Sequence, residues 1–351
     1  MSPAGPGVRS RLRFLPRVGA RNLGLLIALA VWLVFLRFTA PFYFNFDNYR
    51  VIGLQIAFIG IGALGTSLLM IGGNIDLSIG SMMAVCATAA ALVARDIGVI
   101  PAVVAGIAVG GAIGLFNGLM VWRFKISPLI ITLGMLAVLR GIAILMTSGY
   151  AVTGVPDQFK ILGGSRIFGL QSPVWFLFLG FIVVGTYLHR TTTGRHIYAL
   201  GSSRDAAQRV GINIRKMTTG LFLVNGLIIG LVGLLAASRL GTANPTFGVG
   251  FELEVITAVI LGGVAFSGGE GSLGGVLIAL VLIGNIRNGI IAVGLDSAWA
   301  QVANGALLVV AVAIDQVSQE QREKYRRLLA MRERTPQEVA STKPASPSKQ
   351  D

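Results

Sequence analysis

Charge is what this 351-residue chain lacks: Asp, Glu, Lys and Arg supply only 13% of it, against about 25% in an ordinary globular domain. With hydrophobic residues at 54%, that shortage excludes a soluble fold with a charged surface and makes the chain a membrane protein. It has one cysteine, Cys86, in an apolar run, so no disulfide and no cysteine metal site forms within the chain. Its two histidines, His189 and His196, share one basic stretch, which leaves a metal cluster or a Ser-His-Asp triad little to draw on. The glycine-rich run 268–275, Gly-Gly-Glu-Gly-Ser-Leu-Gly-Gly, lacks the Gly-Lys-Ser/Thr ending with which a P-loop cradles phosphates. It reads as a turn between membrane segments. No catalytic residue, metal site or cofactor is expected on the chain, and it is not expected to hydrolyse ATP.

Glycine, in contrast, is abundant at 47 residues, near twice the usual share of about 7%, which suits membrane helices whose backbones approach closely. The net charge of +14 comes from bases at the ends and between hydrophobic segments. That is the placement of topogenic charge, and it argues against nucleic-acid binding. Ten hydrophobic spans are predicted, at 22–38, 51–71, 77–94, 97–121, 127–147, 173–189, 217–238, 252–267, 273–293 and 298–314. Most approach the ~20 residues a bilayer needs, and the short spans 77–94 and 252–267 are expected to be tilted or discontinuous. Residues 1–21, 123–125, 189–216 and those after 315 hold 21 of the 29 Lys and Arg residues, which puts both termini in the cytoplasm. The expected organisation is a disordered basic tail over 1–21, an all-α polytopic bundle over 22–314 and a basic C-terminal tail over 315–351.

The most informative stretch is Gly72 to Ser81, Gly-Gly-Asn-Ile-Asp-Leu-Ser-Ile-Gly-Ser, set within almost wholly apolar sequence. A carboxylate near a membrane helix centre costs roughly 2.5–3.5 kcal/mol, so Asp76 is expected to face a protein interior or a wet cavity. The glycines predict a broken backbone whose peptide groups need a cavity or a neighbouring helix. Asn74, Asp76 and Ser78 are candidates for a translocation pathway or gate. For Asp76 three roles stand open: capping a helix that begins at Leu77, contact with a solute in transit, or interhelical pairing. Glu252 and Glu254 follow the turn formers Pro245, Gly248 and Gly250. They are expected near the outer mouth, as a cap, an ion pair or a gate. Arg140 lies inside the fifth span, where it could pair with an acid or snorkel to an interface, and a structural role is expected for it. Gly106, Gly110, Gly114 and Gly118 recur every four residues, a stripe on which another helix can close, and Gly226 with Gly230 repeats the device.

The loop 189–216 reads as folded. Asp205 to Val210 is a short helical run, Ser202 or Ser203 stands where a cap belongs, and Gly211 stands where the run should end. The small pair Ala206 and Ala207 would let it seat in a cleft of a soluble partner.

Three separated motifs then carry a family resemblance: residues 73–80, Gly-Asn-Ile-Asp-Leu-Ser-Ile-Gly; the loop 193–201 on through Ala206-Ala207 to Gly211-Ile-Asn; and Asn244-Pro-Thr through Phe251-Glu-Leu-Glu254 to Leu261-Gly-Gly263. From about Asn22 to Ile314 the chain resembles the permease subunits of ribose-, xylose- and arabinose-type ABC importers. The resemblance implies a membrane dimer, with a second copy or a related permease, in the bacterial cytoplasmic (inner) membrane. It also implies an extracytoplasmic sugar-binding protein and a cytoplasmic ATPase that binds ATP and Mg, with Arg204, Asp205, Ala206, Ala207 and Gly211 in the coupling helix that docks on it. Two departures stand out: Ser202-Ser203 where the family commonly shows Gly-Asn, and Gly73-Asn where it shows Gly-Gly. Rival readings are a permease for another small polar solute, such as a nucleoside or branched-chain amino acid, and an ion-coupled secondary transporter with Asp76 as proton site.

Overall fold

The computed structural model describes residues 17–341, and the expectations for 1–16 and 342–351 lie outside the described residues. The fold is all-α. In chain order the helices are α1 (Arg17–Thr39), α2 (Phe46–Ile71), α3 (Ile79–Asp96), α4 (Val99–Phe124), α5 (Pro128–Thr147), α6 (Asp157–Gly164), α7 (Ser172–Arg190), α8 (Thr192–Ser202), α9 (Arg204–Arg209), α10 (Ile214–Leu240), α11 (Phe251–Leu261), α12 (Leu273–Ala292) and α13 (Ala298–Ser341). The described strands, Arg166–Ile167 and Leu170–Gln171, form one small antiparallel hairpin. Among the described residues nine helices are long and apolar enough to cross a membrane.

The eighth expected span, 252–267, is not a full crossing helix. α11 has 11 residues, about 16 Å at 1.5 Å per residue, roughly half of a ~30 Å hydrocarbon core. Glycines in left-handed backbone conformation break the segment on both sides: Gly248 and Gly250 before it (φ 70° and 79°), and Gly263, Gly268 and Gly269 after it (φ 98°, 85° and 76°). Only glycine takes these conformations without a Cβ clash.

Two expected boundaries also move. α1 begins at Arg17, inside the segment expected as a tail, and Arg21 serves the bundle. Its Nε donates to Leu261 O at 3.2 Å and its Nη2 donates to Ile260 O. Those carbonyls end α11; Ile260 O also accepts from Gly263 N at 2.9 Å, and the guanidinium from α1 closes the helix end with them. At the other boundary α13 runs through residue 315 without a break. Asp315 is buried and accepts from Phe266 N at 3.1 Å, which ties the helix to the loop after α11.

α2, α3 and α10 form the interior, whereas α1 and α5 lie at the periphery with most of their surface uncovered. The α4 glycines face α10: a Cβ on Gly110 would lie 2.8 Å from Gly230 Cα, one on Gly114 3.0 Å from Gly226 Cα, and one on Gly118 2.9 Å from Thr219 Cα. Gly106 faces Leu234 of α10 and Ala90 of α3. Backbones this close give van der Waals contact along two helices, the interaction that drives association where lipid is as apolar as the side chains.

Candidate functional site

The segment between α2 and α3 is broken, and its polar residues divide between two places. Asp76 is fully buried. One carboxylate oxygen accepts from Ser78 N at 2.9 Å and Ser78 Oγ at 2.6 Å, and the other accepts from Asn225 Nδ2 of α10 at 3.4 Å. Asn117 of α4 donates to Ser78 Oγ at 3.0 Å. Asp76 therefore caps the turn and pairs between helices at once. The helix it serves begins at Ile79 with Ser78 at its N-cap, two residues later than expected. A buried carboxylate with several donors is the arrangement in which such a group is tolerated. Asn117 Oδ1, Asn225 Oδ1, Thr66 Oγ1 and Ser67 Oγ are buried polar atoms with no protein partner among the described residues.

Asn74 points the other way. It is buried, donates from Nδ2 to Gly72 O at 3.0 Å, and accepts from Arg204 Nη2 at 2.8 Å. The structure thus separates Asn74 from Asp76 and Ser78 and joins it to the α8–α9 loop.

The second broken segment enters the bundle ahead of α11. Arg140, midway along α5, donates from Nη1 to Pro245 O at 2.5 Å and to Phe247 O at 2.9 Å. These carbonyls belong to no helix, and a fixed guanidinium replaces the water they would otherwise need. Arg140 is therefore a clamp on irregular backbone and neither snorkels nor forms a direct ion pair. Glu252 stands in the first turn of α11 with its Oε2 against Gly80. This corrects the expected placement at the outer mouth, because the run of turns over 241–250 brings the start of α11 to the first turn of α3. Glu254, two residues further and so on another face of α11, accepts from Arg287 Nη1 of α12 at 2.7 Å. The pair lines a cavity of about 250 Å3 with Gln55, Phe58, Phe247 and Phe251 and a neighbouring one of about 220 Å3 that reaches Asn304.

At the opposite end of the bundle, α9 is built as the sequence suggests: Ser203 Oγ accepts from Ala206 N at 3.3 Å, and Gly211 turns the chain at φ 85°. Ser202 is not a cap, since its hydroxyl donates to Tyr198 O. Ala206 is exposed and Ala207 is buried at 2%, so of the small pair only Ala206 presents itself outward. Asp205 is exposed beside it and, with Arg204, Lys125 and Arg215, borders a cavity of about 780 Å3 under the α4–α5 connection. Arg215 stacks over Trp122 at 4.3 Å. Burial pushes the Tyr198 phenol of α8 above its ordinary pKa, and its hydroxyl donates to Gly271 O at 3.1 Å.

Asn117, Asn225, Arg287, Gln55 and Arg21 were not singled out from the sequence. Each except Arg21 is a polar side chain inside a long apolar run, the signal by which intramembrane functional groups are found.

Residues 50–312 match the family described as branched-chain amino acid transport system / permease component. The chain is 35% identical over 299 residues to the ribose import permease protein RbsC of Escherichia coli (strain K12), covering 84% of this chain and 93% of that protein. It is 31% identical over 300 residues to the L-arabinose ABC transporter permease protein AraH of Azospirillum brasilense, covering 85% and 88%. To the Bacillus subtilis (strain 168) ribose import permease protein it is 31% identical over 298 residues, covering 84% and 92%. No solved structure matches. A polytopic bundle with two broken segments meeting at its centre, matched by this family over most of its length, belongs to the branched-chain amino acid transport system / permease component family.

Proposed function

We propose that this chain is the membrane permease of a binding-protein-dependent ABC importer for a sugar, a monosaccharide by its likeness to permeases named for ribose and arabinose. One observation carries the mechanism. The non-helical segment 241–250 meets the first turn of α3, just after the break 72–78, at Gly248 and Gly80 inside the bundle, where half-helix ends and irregular backbone commonly build a transporter's alternating-access site. The relatives named for ribose and arabinose import support the choice of cargo. The basic loop with α8 and α9 lies in the cytoplasm by its charge, where its exposed Ala206 face receives a separate ATPase that binds ATP and Mg. The run 241–250 and the half-length α11 together make the tenth crossing, from the Gly241 end beside Lys160 to the Gly263 end beside Arg21, so both termini share that side. The cavity bounded by Gln55, Phe58, Glu254 and Arg287 faces the opposite compartment, from which a loaded binding protein delivers solute. A dimer, with a second copy or a related permease, completes the pathway against the uncovered α5 face.

The test is uptake of labelled pentoses and hexoses into proteoliposomes holding this chain, with ATPase and binding protein added in turn. Uptake that requires both partners and ATP is expected. Uptake driven by an ion gradient with no ATPase would replace this reading with a secondary transporter.

A further inference from the structure

Three separate loops converge at the end of α8. A Cβ on Gly201 would collide with Ile71 O and Gly269 N, and one on Gly268 would lie 2.7 Å from Gly73 Cα. Gly269 N donates to Ile71 O at 2.8 Å, and one on Gly269 would lie 2.7 Å from Ser202 Cα. The α8–α9 corner therefore sits between the broken segment that leads into α3 and the glycine loop that leaves α11, backbone close against backbone, with the Ser202 hydroxyl the nearest side-chain atom at Gly269. One side chain crosses the junction from α9. Arg204 Nη2 donates to Asn74 Oδ1 at 2.8 Å and to Gly73 O at 3.4 Å. Asn74 is buried and braced by its own bond to Gly72 O. Two residues on, Asp76 fixes Ser78 and so reaches Asn117 and Asn225.

We propose that Arg204 is a positioning residue for transport, a clasp that ties the movement of α9 to the Asn74–Asp76 segment and through it to the centre of the bundle. The inference rests on the importer reading and adds to it the residue pair through which the cytoplasmic helix grips the pathway. Arg204 is an exposed residue whose bond to the buried Asn74 is only partly covered, and a single bond from an exposed side chain adds little to stability. Its consequence is geometric: one guanidinium nitrogen, Nη2, meets the Asn74 amide oxygen closely and the Gly73 carbonyl oxygen at longer range, which fixes where α9 stands against the segment. With the clasp cut, α9 can still follow the ATPase while the Asp76 segment no longer follows α9.

The experiment measures sugar taken up per ATP hydrolysed in proteoliposomes with the ATPase and binding protein, for Arg204→Ala, Asn74→Ala, the double variant and Arg204→Lys. Membrane amount and ATPase co-purification are measured on the same samples. In each alanine variant the ratio is expected to fall at least five-fold with co-purification retained. The double variant should fall no further than the single ones, because both cut one link, and Arg204→Lys should recover part of the ratio through a single donor. A ratio within two-fold of the unaltered chain in both alanine variants overturns the proposal. So does a multiplicative loss in the double variant, or a loss that tracks failed co-purification, which would make Arg204 a docking residue. If the unaltered chain itself shows no ATP-dependent uptake, the importer reading has failed, a result separate from any ratio.

Discussion

Gly80, in the first turn of α3, and Gly248, in the turn before α11, meet backbone to backbone, and a Cβ on either would collide with the carbonyl of the other. This contact joins the two broken segments. A methyl group at Gly80 must push the segments apart, and overpacking of this kind costs typically about 1–3 kcal/mol. At Gly248 a side chain also meets a backbone at φ 70°, so the penalty there is larger. We expect Gly80→Ala and Gly248→Ala to lower the melting midpoint of the detergent-solubilised protein and to reduce uptake. Gly53→Ala, where nothing lies within 4 Å of the new atom, should leave both unchanged. Equal melting of all three would show that the segments are not in contact.

Asp76 separates folding from transport. Asp76→Leu leaves Ser78 N and Oγ and the Asn225 amide without their acceptor, at about 1–3 kcal/mol for each buried group left unpaired. It should sharply reduce the folded fraction seen by size-exclusion chromatography. Asp76→Asn keeps one acceptor oxygen for Ser78, and its amide can donate to Asn225 Oδ1, which has no partner among the described residues. The folded fraction should therefore approach that of the unaltered protein. Should both variants fold normally, the carboxylate is not structural; transport would then be lost only if it acts on the solute.

The α9 face gives a third prediction. Ala206→Trp places a large side chain on an exposed surface, so the chain should fold normally and lose ATPase co-purification by steric exclusion. Ala207→Trp drives the same group into a site with 2% exposure. It should lower the melting midpoint of the permease alone. Gly211→Val belongs with it, because the φ of 85° at Gly211 strains any β-branched residue. Identical behaviour of Ala206→Trp and Ala207→Trp in the isolated permease would contradict this assignment of faces.

The class of the protein, most of its crossing helices, the break at Gly72–Ser81 and the capped α9 were all legible in the sequence. Each follows from short-range rules: hydropathy over a window, glycine backbone freedom, and an N-cap acting within three residues. The depth of Glu252 was not legible, because turn formers ahead of a helix do not say whether the chain lies across the mouth or descends between other helices. Nor was the inward face of Ala207, since six residues of α9 present no periodicity long enough to fix a face.

What only the tertiary structure decided is which polar groups meet. Asn117 reaches Ser78 across 39 residues of sequence, Arg287 reaches Glu254 across 33, Asn225 reaches Asp76 across 149, and Arg21 reaches Leu261 across 240. The sequence alone determined that Asp76 and Arg140 stand within apolar spans, where a charge is costly without a partner or a wet cavity. It could not name the partners. In an all-helical bundle the backbone bonds are spent within each helix, so helix order and rotation, and with them the pairing of side chains, follow from how glycine-lined surfaces close on one another.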